Sequence, residues 1–240
     1  MIDHAMLSDD YEIETRQIMA KVLKEGDSFL IAGAHQGGLS AYAAALVGPT
    51  GTVYGFEPEK DNYSILTETV KPFGNVKTYP YALGDRDSEA ALFINKDNSG
   101  GHSLFDVGKH PDNVKTRENP SFEMVAVKTV DSFLEDEDLS RLKLILFDME
   151  GAELSALRGA INTIVDNEVP YIITEINDFA LQQCNSTQMS LRGFMDMYGY
   201  ECFVITSEGC KDTNKKTMIT CEADGKPVVF NVLFSRKGKV

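Results

Sequence analysis

Along this chain, short unbroken apolar runs alternate with stretches whose apolar residues recur every three or four positions. Unbroken runs suit strands buried on both faces, and the longer spacing suits helices with one buried side. Residues 11–24 place Ile13, Ile18, Val22 and Leu23 roughly on one helical face, and Gly26 ends that helix. A strand follows at 28–31, then an alanine-rich helix at 40–46, suited to close packing on a sheet. Gly48, Pro49 and Gly51 stop it. The order repeats with a strand at 52–56, a helix at 62–70 and a strand at 76–82. This alternation predicts parallel strands joined by right-handed crossovers.

Further on, 142–147 is a continuous apolar strand, 153–164 a helix and 171–175 a strand. The stretch 189–198 reads as a helix with Leu191, Phe194, Met195 and Tyr198 inward, and strands at 202–205 and 228–234 close the chain. The polar linker 207–227 fits a reversed pair at the sheet edge. Residues 84–130 break the rhythm: strand-like 90–94, a polar loop holding Gly100 and Gly101, and strand-like 122–130. That length exceeds an ordinary connection and predicts an antiparallel, lid-like insertion. The expected architecture is α/β: one domain over 1–240, with helices on both faces of a mostly parallel seven-stranded sheet and a reversed edge strand.

Composition narrows the function. Hydrophobic residues make up 42%, enough for a sizeable core. No apolar stretch approaches the roughly 20 residues that span a bilayer, and the first residues lack a signal peptide's basic and apolar regions. Cytoplasmic location without a membrane partner is the expectation. The 23 basic and 37 acidic residues give a formal charge of −14, which disfavours a nucleic-acid partner. Lys211, Lys215 and Lys216 form the densest basic group and read as a solvated loop. Cys184, Cys202, Cys210 and Cys221 lack zinc-ligand spacing. Reduced thiols are expected, with a Cys210–Cys221 pair as the lesser reading.

The chemistry concentrates at strand ends. Gly33, Ala34, His35, Gln36, Gly37 and Gly38 form a tight turn after the first strand, and Glu57 ends the second. Ligands of open α/β sheets bind beyond the carboxyl ends of the strands. A glycine turn lets a nucleoside approach the backbone, and a carboxylate can accept from two ribose hydroxyls. The dinucleotide pattern GxGxxG is absent, as is the phosphate-loop ending Gly-Lys-Ser/Thr. Ala82 and Leu83 end the third strand and offer an apolar rest for a flat base, while Asp85 either reaches that base or begins a turn.

The runs IAGAHQGGLS, VYGFEPE, YALGD and LFDMEGAELSALRGA resemble the FkbM-type family of S-adenosylmethionine-dependent methyltransferases over roughly residues 25–177. The segment Asp148 to Glu153 is the most specific part. The resemblance implies a Rossmann-like class I methyltransferase fold, S-adenosylmethionine as cofactor, and O-methylation of a hydroxyl on a sugar or other small-molecule acceptor. It also implies cofactor contacts at Gly33, Ala34, His35, Gly37, Ser40, Glu57, Ala82, Leu83 and Asp148. Three positions depart from the family: Ile31 where aspartate is usual, His35 where asparagine is usual, and Leu146 where lysine is frequent.

Methyl transfer from a sulfonium needs alignment and a base for the acceptor's proton, and no metal intrinsically. Asp148, Glu150 and His102 are the candidate catalytic residues, with His102 read as base or substrate ligand. Glu175 at the end of 171–175 is a weaker candidate. Asp148, Glu150 and Glu175 around a divalent cation is a minor alternative. N- or C-methylation, and a cofactor-binding module without turnover, are the competing functions. Oligomeric state is open.

Overall fold

The computed structural model describes residues 12–213, 219 and 229–238. Its first half alternates as the apolar pattern requires: α1 (Ile13–Val22), β1 (Ser28–Ala32), α2 (Gly38–Val47), β2 (Thr52–Phe56), α3 (Lys60–Val70) and β3 (Val76–Tyr79). Glu59 starts α3, its carboxylate accepting from the Asp61 and Asn62 amides at 3.1 and 2.7 Å. The strand expected to reach residue 82 stops at Tyr79. Pro80 has no amide to donate, and the chain leaves the sheet there. Ala82 and Leu83 instead form β4 (Ala82–Leu83) of a second sheet, with β5 (Ser88–Phe93), α4 (Val114–Glu118) and β6 (Phe122–Lys128) following. β6 pairs parallel with β4 and antiparallel with β5.

After α5 (Val130–Phe133) the chain returns to the large sheet as β7 (Leu142–Phe147). The helix expected at 153–164 divides into α6 (Glu153–Gly159) and α7 (Ile161–Asp166). Gly159 marks the break. A Cβ there would lie 1.9 Å from the Gly84 carbonyl oxygen, so the two backbones meet only through glycine. Then come β8 (Tyr171–Asn177), α8 (Asp178–Gln183), α9 (Gln188–Met197), β9 (Tyr200–Thr206), β10 (Gly209–Asp212) and β11 (Val229–Arg236).

The large sheet has eight strands among the described residues, in the order β10-β9-β11-β8-β7-β1-β2-β3. The expected seven become eight because residues 209–212 fold back antiparallel on β9. The reversed strand β11 lies between β8 and β9 rather than at the edge, antiparallel to both. Strands β8, β7, β1, β2 and β3 run parallel.

Both faces of this sheet are covered, which explains the unbroken apolar runs. Phe29, Ile31, Leu144 and Leu146 pack with Met19, Ala43, Ala44 and Leu66 from α1, α2 and α3. Leu30, Ile145, Phe147 and Ile172 pack with Leu157, Leu181, Leu191 and Met195 from α6, α8 and α9. Each large aliphatic or aromatic side chain so buried contributes about 1.5–3 kcal/mol. No helix among the described residues is long and apolar enough to cross a membrane. Cys184 and Cys210 are free thiols, and Cys202 is buried in β9. Lys211 pairs with Glu208 at 2.8 Å, while His4, Lys215, Lys216 and Cys221 lie outside the described residues.

Candidate functional site

A cleft of about 870 Å³ opens at the carboxyl ends of β1, β2 and β7. Gly33, Ala34, His35, Glu57, Ala82, Leu83, His102 and Asp148 all line it. Gly37, Ser40 and Glu150 do not. Gly37 caps α2 at φ +90° and faces Leu66, 2.8 Å from a Cβ placed there. Ser40 is buried beneath the turn with its hydroxyl unpartnered. Asp85 lines a neighbouring groove, its amide bonded to Ser155 Oγ at 3.1 Å.

The floor is built by close approach of strands. Gly33 and Ala34 donate to the Phe56 carbonyl at 3.0 Å each, and Asp148 donates to the Ala32 carbonyl at 3.0 Å. A Cβ on Gly33 would lie 1.7 Å from the Asp148 carbonyl oxygen, and φ is +79°. Only glycine satisfies both conditions. His35 follows at φ +48°. Histidine and asparagine both tolerate that left-handed conformation, which accounts for one exchanging with the other at this position.

Glu57 is buried, and the turn holds its carboxylate. Oε2 accepts from the His35 amide at 2.8 Å and Oε1 from the Glu59 amide at 2.9 Å. A carboxylate has about four acceptor positions, so two amides leave room for a diol. Burial raises its pKa to about 7, with the two amide bonds opposing. An apolar slot of Ala82, Leu83, Leu92 and Met149 lies in the same cleft. This pairing of diol acceptor, glycine floor and flat slot fits an adenosine.

The insertion supplies the remaining wall through Gly100, His102, Ser103 and Leu104. Three bonds hold it there. Asn62 Nδ2 donates to the Ser99 carbonyl at 2.9 Å, His35 Nε2 meets Ser99 Oγ at 3.1 Å, and Ser103 Oγ donates to the Glu150 carbonyl at 2.7 Å. Asn62 and Ser99 escaped sequence reasoning, since nothing in either residue's neighbourhood signals a contact 37 positions away.

His102 Nδ1 accepts from the Asn95 amide at 2.9 Å, and burial holds the ring's pKa below the usual histidine range. The neutral ring therefore carries its proton on Nε2. In that form Nε2 is a hydrogen-bond donor and cannot take a proton.

The carboxylates behave differently. Asp148 is raised above the usual range by burial and then by Glu150. Glu150 is raised by burial and then by Glu153, with Asn177 Nδ2 bonding its Oε2 at 3.1 Å. Its backbone sits at φ +49°, a strained conformation for a residue with a side chain, and it is not among the residues that line the cleft. Glu153 accepts from the Met149 and Gly151 amides at 3.0 and 3.1 Å, and burial lifts it to about 7. No group of three or more His, Cys, Asp or Glu among the described residues is arranged to hold a metal ion.

Ile31 and Leu146 are register partners on β1 and β7, 1% and 3% exposed. The two charged residues usual in the resembling family would thus stand side by side, and here both are apolar. Replacing a buried ion pair by apolar side chains is often neutral or stabilising. The missing acid at residue 31 is matched by the missing base at residue 146.

A family model described as Methyltransferase FkbM domain matches residues 32–202. A curated relative named Methyltransferase 1, from Beauveria bassiana, is 28% identical over 185 residues, 70% of this chain and 72% of its own. A provisionally named rRNA methylase from Clostridium thermocellum has a TM-score of 0.51 at 14% identity, covering 93% of this chain and 96% of its own. A provisionally named methyltransferase from Streptococcus mutans, crystallised with SAH, has a TM-score of 0.51 at 9% identity, covering 98% and 99%. These structures share the class I methyltransferase α/β fold with its mixed sheet.

Proposed function

The chain belongs to the FkbM methyltransferase domain family, and from that premise we propose that it methylates a hydroxyl of a small molecule such as a sugar. Membership makes it a methyltransferase that uses S-adenosylmethionine. When bound, that cofactor supplies an activated methyl group on a positively charged sulfur. In this reading Glu57 accepts from both ribose hydroxyls while Ala82 and Leu83 face the adenine. Gly33, Ala34 and His35 form the floor under the nucleoside, and Gly37 and Ser40 support the turn from behind.

Asp148 lines the cleft at the end of β7. A positive charge beside it favours its ionised form, and a carboxylate titrating near neutrality is well matched to accept a hydroxyl's proton. His102 donates through Nε2 to the same oxygen and orients its lone pair. Glu150 acts indirectly: its carbonyl holds Ser103 and hence the wall carrying His102.

The single observation carrying this reading is the buried Glu57 carboxylate, fixed by two backbone amides beside a glycine that admits no Cβ. The test is incubation with methyl-labelled S-adenosylmethionine and a panel of sugars and hydroxylated small molecules, with the methyl position assigned by mass spectrometry and NMR. Label on oxygen supports the reading. Label on nitrogen or carbon, or none across a broad panel, overturns it.

A further inference from the structure

Two adjacent residues of the glycine turn reach the same serine of the insertion by separate routes. The His35 ring meets Ser99 Oγ through Nε2 at 3.1 Å. Gln36 Nε2 donates to Asn62 Oδ1 at 3.4 Å, and Asn62 Nδ2 donates to the Ser99 carbonyl at 2.9 Å. Gln36 and Asn62 are buried, where such bonds are stronger than in water. Asn62 is itself fixed, its amide donating to the Glu59 carboxylate at 2.7 Å.

The loop around Ser99 is closed on itself. Asn95 Oδ1 accepts from the Asp97 and Asn98 amides at 2.9 and 3.1 Å and from Thr116 Oγ1 at 3.2 Å. The Gly101 amide donates to the Asn98 carbonyl at 3.1 Å, and the Asn95 amide donates to His102 Nδ1 at 2.9 Å. A Cβ on Gly101 would lie 2.7 Å from Asn95 Nδ2, so the loop has no slack there. A loop braced in this way carries a shift at Ser99 on to the His102 ring.

His35 also serves the other side of the cleft, its amide donating to Glu57 Oε2 at 2.8 Å. One residue thus grips the Glu57 carboxylate with its backbone and the insertion with its ring. An asparagine side chain ends one bond earlier, before the atom that meets Ser99.

We propose that His35 and Ser99 are a positioning pair for methyl transfer: a nucleoside held on Glu57 steadies His35, and His35 acts through Ser99 to set the loop that presents His102 to the acceptor. The physical link is the carboxylate. Ribose hydroxyls favour its ionised form, and an ionised carboxylate accepts more strongly from the His35 amide. The acceptor wall is thus completed by the cofactor. The inference rests on the first cleft being the cofactor site.

The test is amide hydrogen exchange, read by mass spectrometry over residues 95–104 of the full chain, free and saturated with S-adenosylhomocysteine. In the wild type the ligand should slow exchange there about tenfold, the worth of one or two net hydrogen bonds. Ser99→Ala should bind the ligand yet lose most of that slowing, and Ser99→Thr, which keeps the hydroxyl, should retain it. His35→Asn should lose it as well and should add nothing when combined with Ser99→Ala. No slowing in the wild type, equal slowing in Ser99→Ala, no rescue by Ser99→Thr, or additive losses in the double variant overturns the proposal. Loss of ligand binding in Ser99→Ala would make Ser99 part of the cofactor site and overturn it too, and His35→Asn decides where Ser99→Ala fails to fold. Failure of S-adenosylhomocysteine to bind the wild type would instead remove the cofactor reading, so the two failures are distinguishable.

Discussion

At the residue scale, the proposed ribose contact of Glu57 is tied to pH. Burial raises its pKa to about 7, and the two backbone amides already favour its charged form. Ribose hydroxyls donating to the carboxylate favour that form further. Binding of S-adenosylhomocysteine should release protons, and affinity should rise between about pH 6 and about pH 8. Calorimetry in two buffers of different ionisation enthalpy checks this, and proton uptake would contradict it. Ile31 and Leu146 make a second test. Ile31→Asp alone places an unpaired carboxylate in the core and should cost about 3–5 kcal/mol in urea unfolding. Adding Leu146→Lys should recover part of the loss; additive losses would contradict the pairing. Neither property could be read residue by residue. Glu57 was legible because a carboxylate follows a glycine turn at one strand-helix-strand distance. The match between Ile31 and Leu146 needs the β1–β7 register, which joins positions more than a hundred residues apart.

At the element scale, the glycine turn works because two parallel strands end against each other. Gly33→Ala would drive a methyl into the Asp148 carbonyl and impose a left-handed alanine. The strands must part to accommodate it. S-adenosylhomocysteine binding should be lost and the melting temperature lowered, as read by calorimetry and thermal melts; retained affinity would show that the floor yields. The parallel core was legible because strands buried on both faces carry unbroken apolar runs. Pro80 was a signal available in the chain, and it explains why β3 stops while Ala82 and Leu83 join the smaller sheet. The eighth strand was less visible. β10 is four residues long and owes its place to a turn pairing with β9, with no apolar run of its own. The insertion's strands showed as apolar patches, but Ser99 and Ser103 meet the cleft wall through bonds to Asn62, His35 and Glu150, which only the folded chain brings near.

At the scale of the whole molecule, the −14 charge is not spread evenly over solvent. Glu57 and Glu153 are buried and raised from the ordinary 4.5 to about 7, each chiefly by burial. The folded chain thus keeps protons that the unfolded chain releases above about pH 4.5. This contribution to stability is present at low pH and drains away as pH rises through the window up to about 7. The unliganded protein's melting temperature should therefore fall across that window, and Glu153→Gln should flatten the slope. A melting temperature that is level or rises there would contradict the assignment. A cationic sulfonium held beside these acids would favour their charged forms, which links the charge pattern to the cofactor.

The most direct test is a calorimetric titration of S-adenosylhomocysteine into the wild-type chain and into Glu57→Gln. The wild type should bind, and the substitution should weaken binding about ten- to hundredfold, the worth of a charge-assisted hydrogen bond of about 1.5–3 kcal/mol. Equal affinity in the two proteins, or no binding to the wild type, would contradict a nucleoside cofactor seated between Gly33 and Glu57.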